Sequence, residues 1–282
     1  CINMDSNAIE TIAVNAVRDS IVTSDFLGQF ISDNDKEPSW DGFVYIYKDK
    51  SKKKSQLKGR LPVQVKGKVS KCFSKVEVSY PVSVCDLQNY LYDGGVVFFV
   101  VYISRDGLTR KIYYAELPPI KLRVTLNSVS SQKTKSIKLK EFPSDGDKKA
   151  TIFLNCYDNC QRQASFTDAK LYSLEELEQQ GVLQGITIPV SGVGLKDPQK
   201  AIVTNEVYVY AQIKGGAIPQ PLEIIPQHLT TQEVVQQEIK INGRPYYNSF
   251  IRVRSAKETT IQIGASLFIK VEDGKMKYNI RY

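Results

Sequence analysis

The sequence predicts an α/β core, a mixed sheet flanked by helices, followed by a β-rich second domain. Three observations predict it. Helical and strand-like periodicities alternate through the first 125 residues. The run Val96–Ile103 (VVFFVVYI) is apolar at every position, as in a central strand buried on both faces. From Thr151 onward, short strand-like runs bounded by Gly and Pro dominate. A chain of 282 residues holds one large or two medium domains. The expected division is residues 1–125, a linker or hairpin over 126–150, and a β-rich domain over 151–282.

In chain order, Ser6 to about Val22 reads as a helix, with Ser6 as its cap and Ile9, Ile12, Ala13, Ala16 and Val17 at helical spacing. Phe26–Ile31 leads into a polar loop. Phe43–Tyr47 and Leu61–Val69 read as strands joined by a basic hairpin, and Val76–Val82 as a further strand. Ser83 opens a short helix that Gly94-Gly95 ends. Arg105-Asp106-Gly107 turns the chain into a return strand, Lys111–Leu117, and Pro118-Pro119 closes the unit. Beyond 150, the segments ATIFLNCY, GITIPVSG, EVYVYAQI, PLEIIP, QEIKING, SFIRVRS, TIQIGASLFIKV and MKYNI read as strands. One short helix, Ser173 to Gln180, interrupts them, opened by the N-terminal signature SLEEL.

Composition narrows the chemistry. The longest apolar run, Val96–Ile103, is far too short to span a bilayer, and no basic-plus-apolar leader opens the chain. A cytoplasmic protein with free thiols is the expectation. Five cysteines form no regular framework, and a single histidine, His228, sits in a Pro/Gln/Thr loop. This composition argues against a zinc site and against His-based nucleophilic catalysis. The net charge is +8, and its distribution matters more than its size. Residues 1–150 carry 24 Lys/Arg against 17 Asp/Glu, whereas the remainder carries 14 against 13. Between Lys48 and Lys68 lie nine basic residues and one acid, Asp49. Lys48, Lys50, Lys52, Lys53, Lys54, Lys58, Arg60 and Lys68 are therefore candidates to neutralise nucleic-acid phosphates. The alternative is a solvated hairpin kept soluble by its lysines.

The most informative stretch is SWDGFVYIYKDKSKKKSQLKGRLPVQVKGK. Asp41 opens one strand, and Gln64 and Lys66 share one face of the next, because strand side chains alternate with period 2. Phosphodiester hydrolysis needs a divalent cation, an activated water and charge stabilisation in the transition state. Mg²⁺ or Mn²⁺ takes hard oxygen donors. Asp41 offers a carboxylate, Gln64 an amide oxygen and Val65 a backbone carbonyl, while Lys66 offers an ammonium to the water or the phosphate.

At these residues the chain resembles the PD-(D/E)XK, or restriction-endonuclease-like, nuclease superfamily, in a Gln-x-Lys variant. Pro38-Ser-Trp-Asp41 stands for the Pro-Asp element, with two residues between Pro38 and Asp41, and Gln64-Val65-Lys66 stands for Glu-x-Lys. The resemblance implies a further metal-site acid from the first helix, for which Glu10 is the match. More narrowly, DGFVYIY, GRLPVQVKGK, YPVSVCDLQNYLYDGGVVFFVVYI and KIYYAEL resemble a prokaryotic phage-defence nuclease domain family, which also occurs fused to short-Argonaute partner domains. The resemblance covers about residues 5–125. It implies a Mg²⁺- or Mn²⁺-dependent endonuclease acting on DNA, with RNA as a second substrate class. It also implies an antiphage effector that works as a homo-oligomer or with a defence-system partner protein.

The residues also admit plainer readings. Lys66 and Lys68 fit outward-facing solubility charges, Asp41-Gly42 fits a turn, Glu10 fits a solvated helix position, and Trp40 fits either a core anchor or a base-stacking platform. Tyr208, Tyr210, Tyr246 and Tyr247 fit either a stacking surface or sheet-core tyrosines. Arg252 and Arg254 alternate on one strand face, within reach of backbone phosphates. The alternative function is a catalytically silent nucleic-acid-binding or assembly module with the same fold. A β-rich structural protein with an incidental basic loop is a third.

Overall fold

The computed structural model describes residues 4–32, 39–225, 229–272 and 275–280; Pro38 and His228 lie outside them. The chain forms two compact units. The first comprises 1–185, 191–194 and 210–223, and the second 186–190, 195–209 and 224–282.

The first unit opens with helix α1 (Ser6–Val22). Its N-cap is Asp5 rather than Ser6: the Asp5 carboxylate accepts the Ala8 N–H at 2.7 Å. Then come β1 (Leu27–Ile31), β2 (Gly42–Tyr47), β3 (Leu57–Val69), β4 (Glu77–Ser83), α2 (Val84–Tyr92), β5 (Val96–Ile103), β6 (Arg110–Leu117), α3 (Pro119–Asn127), β7 (Thr134–Glu141) and α4 (Gly146–Gln163). Seven strands form one sheet in the order β1-β2-β3-β5-β6-β7-β4. The β3–β5 pair is parallel, and the neighbouring pairs are antiparallel. The parallel step requires a crossover, which β4 and α2 supply.

Period-2 alternation sorts β3 and β5 onto two cores. Val63, Val65, Val97, Phe99 and Val101 pack with Ala13, Val14 and Val17 of α1 and with Phe153 and Cys156 of α4. Phe98, Val100 and Tyr102 pack instead with Leu87 and Tyr90 of α2, Leu122 of α3, and Val78, Val82, Ile137 and Leu139 of the β4–β7 ribbon. The ribbon's ladder with β6 is short, Tyr113–Glu141 and Tyr114–Lys140, and Tyr80 of β4 lies 6.0 Å from the Phe98 ring. The ribbon thus leaves the sheet plane and folds over the face that carries Gln64, Lys66 and Lys68. Pro81 is tolerated in β4 because β4 is an edge strand.

The expected boundary at residue 125 is displaced. Pro119 starts a helix instead of closing the unit, 134–141 is a strand, and ATIFLNCY lies inside α4. Burial along α4 follows helical spacing through Ala150, Phe153, Cys156 and Cys160. Its interior polar residues resemble strand and turn punctuation in sequence, but they are hydrogen-bonded in place. The Asn159 side-chain carbonyl accepts from the Tyr210 hydroxyl at 2.8 Å. Gln163 donates to that hydroxyl at 3.0 Å and accepts the Ile120 N–H at 2.9 Å. Residues 126–150 are therefore part of the first unit, not a linker, and α4 completes its core. Helix α5 (Leu174–Gln179) carries the expected capping box at Ser173 and Glu176. A small sheet of β8 (Leu183–Thr187), β9 (Tyr210–Ile213) and β10 (Gln220–Pro221) follows, so the described residues of PLEIIP, 221–225, yield strand only at Pro221.

The second unit contains α6 (Pro198–Thr204) and the antiparallel meander β11 (Thr231–Ile241), β12 (Arg244–Arg254), β13 (Glu258–Ile263), β14 (Leu267–Glu272) and β15 (Lys275–Ile280). Helix α6, with Asp197 as its cap and Pro198 at its first position, is absent from the sequence reading. Among the described residues, no helix is long and apolar enough to cross a membrane.

Candidate functional site

Strand β2 pairs with β3 only as far as Gly42–Val63, whereas β3 runs on to Val69 along β5. Among the described residues no strand pairs with the β2-side edge of β3 beyond Val63, and Asp41 sits at the fork. Its backbone N–H donates to the Val63 carbonyl at 2.9 Å. Its carboxylate takes the place of a partner strand: Oδ2 accepts the Val65 N–H at 2.6 Å and also the Gln64 side-chain amide. Both bonds fall on Oδ2, and Oδ1 takes neither. The N–H and C=O of one strand residue face the same edge. The Val65 carbonyl thus also points into the fork, where the Gln64 amide approaches it at 3.4 Å.

The turn that carries Asp41 is held from both sides. Gly42 has φ +137°, and a Cβ there would strike the Phe30 carbonyl oxygen, so only glycine fits. Ser39 has φ +73°, a left-handed conformation rare for serine. Its hydroxyl donates to Asp86 Oδ1 at 2.8 Å and accepts from the Asn89 amide at 2.9 Å. Asp86 also accepts from the Ser83 hydroxyl at 2.7 Å, which ties the clasp to the α2 cap. Between Ser39 and Asp41, Trp40 meets Tyr90 edge-on with ring centroids 6.4 Å apart. It packs at the margin of the second core, and its indole N–H is buried without a partner. The core-anchor reading of Trp40 is thus the one its surroundings favour.

Helix α1 crosses β3 at Gly67, where an added Cβ would lie 2.5 Å from the Ile9 side chain and 2.8 Å from the Ile9 carbonyl. That close approach delivers the next residue, Glu10, to the site. Burial pushes the Asp41 carboxyl up to about 6; the Val65 N–H and the Lys66 ammonium pull it down, and Glu10 pushes it further up. Glu10, Asp41, Gln64 and Lys66 are thus brought together. Gln64 is buried and Lys66 is exposed. Two carboxylates, a backbone carbonyl and an amide are hard donors that suit Mg²⁺ or Mn²⁺. Among the described residues, no cluster of three or more His, Cys, Asp or Glu side chains gathers.

The basic hairpin is elsewhere. Its loop follows Tyr47 and precedes Leu57, at the end of the β2–β3 pair remote from Asp41. Lys58 and Lys66 are eight strand residues apart, about 27 Å. Several of the predicted phosphate ligands are also engaged internally. Lys50 pairs with Asp25 at 3.0 Å and Lys58 with Asp158 at 2.7 Å. Lys52 donates to the Ser24 and Leu27 carbonyls at 2.9 and 2.7 Å, and the Arg60 guanidinium lies 4.2 Å from the Phe43 ring centre. Lys48, Lys53 and Lys54 are exposed at the loop, and Lys68 lies on β3 two residues beyond Lys66.

The other candidates disperse. Tyr208 and Tyr210 are buried, while Tyr246 and Tyr247 are exposed. Arg252 pairs with Glu233 at 2.9 Å, and Arg254 with Asp197 at 2.9 Å and Glu233 at 3.3 Å. Sequence reasoning missed the clasp of Ser39, Asp86 and Asn89. Ser83-x-x-Asp86 is legible as a helix cap, but nothing local announces that Asp86 reaches across 47 residues to Ser39.

Compared with known proteins, the chain matches no family model, no curated protein and no solved structure.

Proposed function

We propose that the chain is a Mg²⁺- or Mn²⁺-dependent nuclease with a restriction-endonuclease-like core, cutting DNA and, as a second substrate class, RNA. The observation that supports it is the convergence of Asp41, Glu10, Gln64, the Val65 carbonyl and Lys66 where β2 leaves β3. In this reading Asp41 Oδ1, Glu10 and the Val65 carbonyl hold the cation, with the Gln64 amide oxygen as a further donor. The cation, when bound, polarises the phosphate and acidifies its water. Lys66 places its ammonium beside the attacking water and the charge that develops on the phosphate. The clasp on Ser39 keeps Asp41 in position. By resemblance, the protein is an antiphage effector released by a partner or by self-assembly.

A second reading has its own observation. The Gln64 amide N–H faces Asp41, so the pair is satisfied without any cation. A silent nucleic-acid-binding module would look this way.

Cleavage of plasmid, single-stranded DNA and RNA in Mg²⁺, Mn²⁺ or EDTA, wild type beside Lys66→Ala, separates the two. Metal-dependent cutting lost in Lys66→Ala supports the nuclease. Binding without cutting in any metal favours the silent module. Cutting that survives in Lys66→Ala refutes this site.

A further inference from the structure

Lys66 and Lys68 share a face of β3, and Lys68 borders a groove of about 520 Å³ between the sheet and the β4–β7 ribbon. Lys68 and Tyr102 line it from the sheet, and Lys75, Ser79 and Lys138 from the ribbon side. The Lys68 ammonium lies 5.4 Å from the centre of the Tyr102 ring, which holds the charge at the groove floor. Lys68, Lys75 and Lys138 are exposed, and Glu77 is the one acid of the lining. No described acidic group lies within ion-pair distance of these three lysines, in contrast to Lys50 and Lys58 of the hairpin.

We propose that this groove, rather than the basic hairpin, holds the substrate: one nucleic-acid strand whose phosphates run from Lys66 over Lys68 to Lys75 and Lys138. This rests on the nuclease reading for its direction, since Lys66 marks the scissile end. Three observations carry it. The groove begins two strand residues, about 7 Å, from Lys66, whereas the hairpin loop is at the far end of the strand. Its cations are not committed to protein acids. Its volume, about 520 Å³, is small enough to be filled by a short stretch of one strand.

The test is binding of a 5′-labelled single-stranded oligonucleotide in EDTA, followed by anisotropy across a salt series. The proteins are wild type, Lys75→Glu/Lys138→Glu, the milder Lys75→Gln/Lys138→Gln, and Lys53→Glu/Lys54→Glu. Loss of two phosphate contacts lowers the slope of log K against log salt by about 1.4 and weakens binding about tenfold or more in the groove variants. The hairpin variant stays within about threefold of wild type, because its charges act only at long, screened range. All four positions are exposed, and a thermal melt verifies that each variant is folded. Groove variants that bind like wild type, a hairpin variant that loses more, or a duplex that binds more tightly than the single strand would each overturn the proposal. Because no cutting occurs in EDTA, its failure is distinct from failure of the metal site, which the Lys66→Ala cleavage assay reads.

Discussion

Asp41 carries an ionisation problem that its neighbours solve only in part. Its carboxyl titrates near 6 in the folded chain, above its ordinary value of 3.8, chiefly because it is buried. The folded state therefore holds this proton more tightly than the unfolded state, and stability falls as pH rises from about 3.8 through about 6. Ionised Asp41 costs on the order of 2–3 kcal/mol above that window and nothing below it. Asp41→Asn is expected to raise stability at neutral pH by about that order, to flatten the pH dependence of urea midpoints between 4 and 6, and to abolish cutting. Added Mg²⁺ should raise the wild-type melting temperature at pH 7 and leave Asp41→Asn nearly unmoved. At Gly42 the conflict is steric. Gly42→Ala, with φ +137° and the Phe30 carbonyl in the way, is expected to cost a few kcal/mol in chemical denaturation. Gln64, Val65 and Lys66 were legible in sequence because strand alternation and a two-residue spacing are local, and Asp41 because it precedes the strand that pairs with theirs. The Ser39 clasp was not legible, since it joins residues 47 apart through a conformation serine rarely takes.

At the scale of elements, the site depends on how closely α1 lies on β3. Gly67 sets that distance through its contact with Ile9. Gly67→Ala should push the helix off the strand, destabilise the fold by about 1–3 kcal/mol, and weaken Mg²⁺ binding by carrying Glu10 away. Calorimetric titration checks the second effect, and urea melts the first. A merely destabilising change would move only the urea midpoint. Helix α4 depends instead on its polar spine. Tyr210→Phe removes the hydroxyl that donates to Asn159 and accepts from Gln163, at an expected cost of about 1–3 kcal/mol in the same melts. Helices α1 and α2 and strands β2 to β6 could be placed from periodicity and caps. α4 could not, because Asn155, Asn159 and Gln163 are polar residues in a buried face, and pattern reading treats polarity as exposure.

For the whole molecule, the units are discontinuous in sequence, and this decides which pieces stand alone. A chain ending at residue 150 loses Phe153, Cys156 and Cys160 from the core shared with α1 and β5. It should fail to give a cooperative melt. A chain ending at 223 keeps every stretch of the first unit and should melt cooperatively. The charge asymmetry between the halves was legible in composition, but its use was not. The densest lysine cluster lies on a loop remote from the fork, where several of its members are tied to Asp25, Asp158 and backbone carbonyls.

The Val65 N–H, capped by a carboxylate where a neighbouring strand would be, gives the protein a built-in gauge. Its proton resonance should move downfield as Asp41 ionises near pH 6, because a charged acceptor shortens and polarises the bond. A divalent ion that draws on the same carboxylate should shift that titration to lower pH. In an ¹⁵N-labelled sample, this one amide would report loading of the fork without substrate, turnover or mutation.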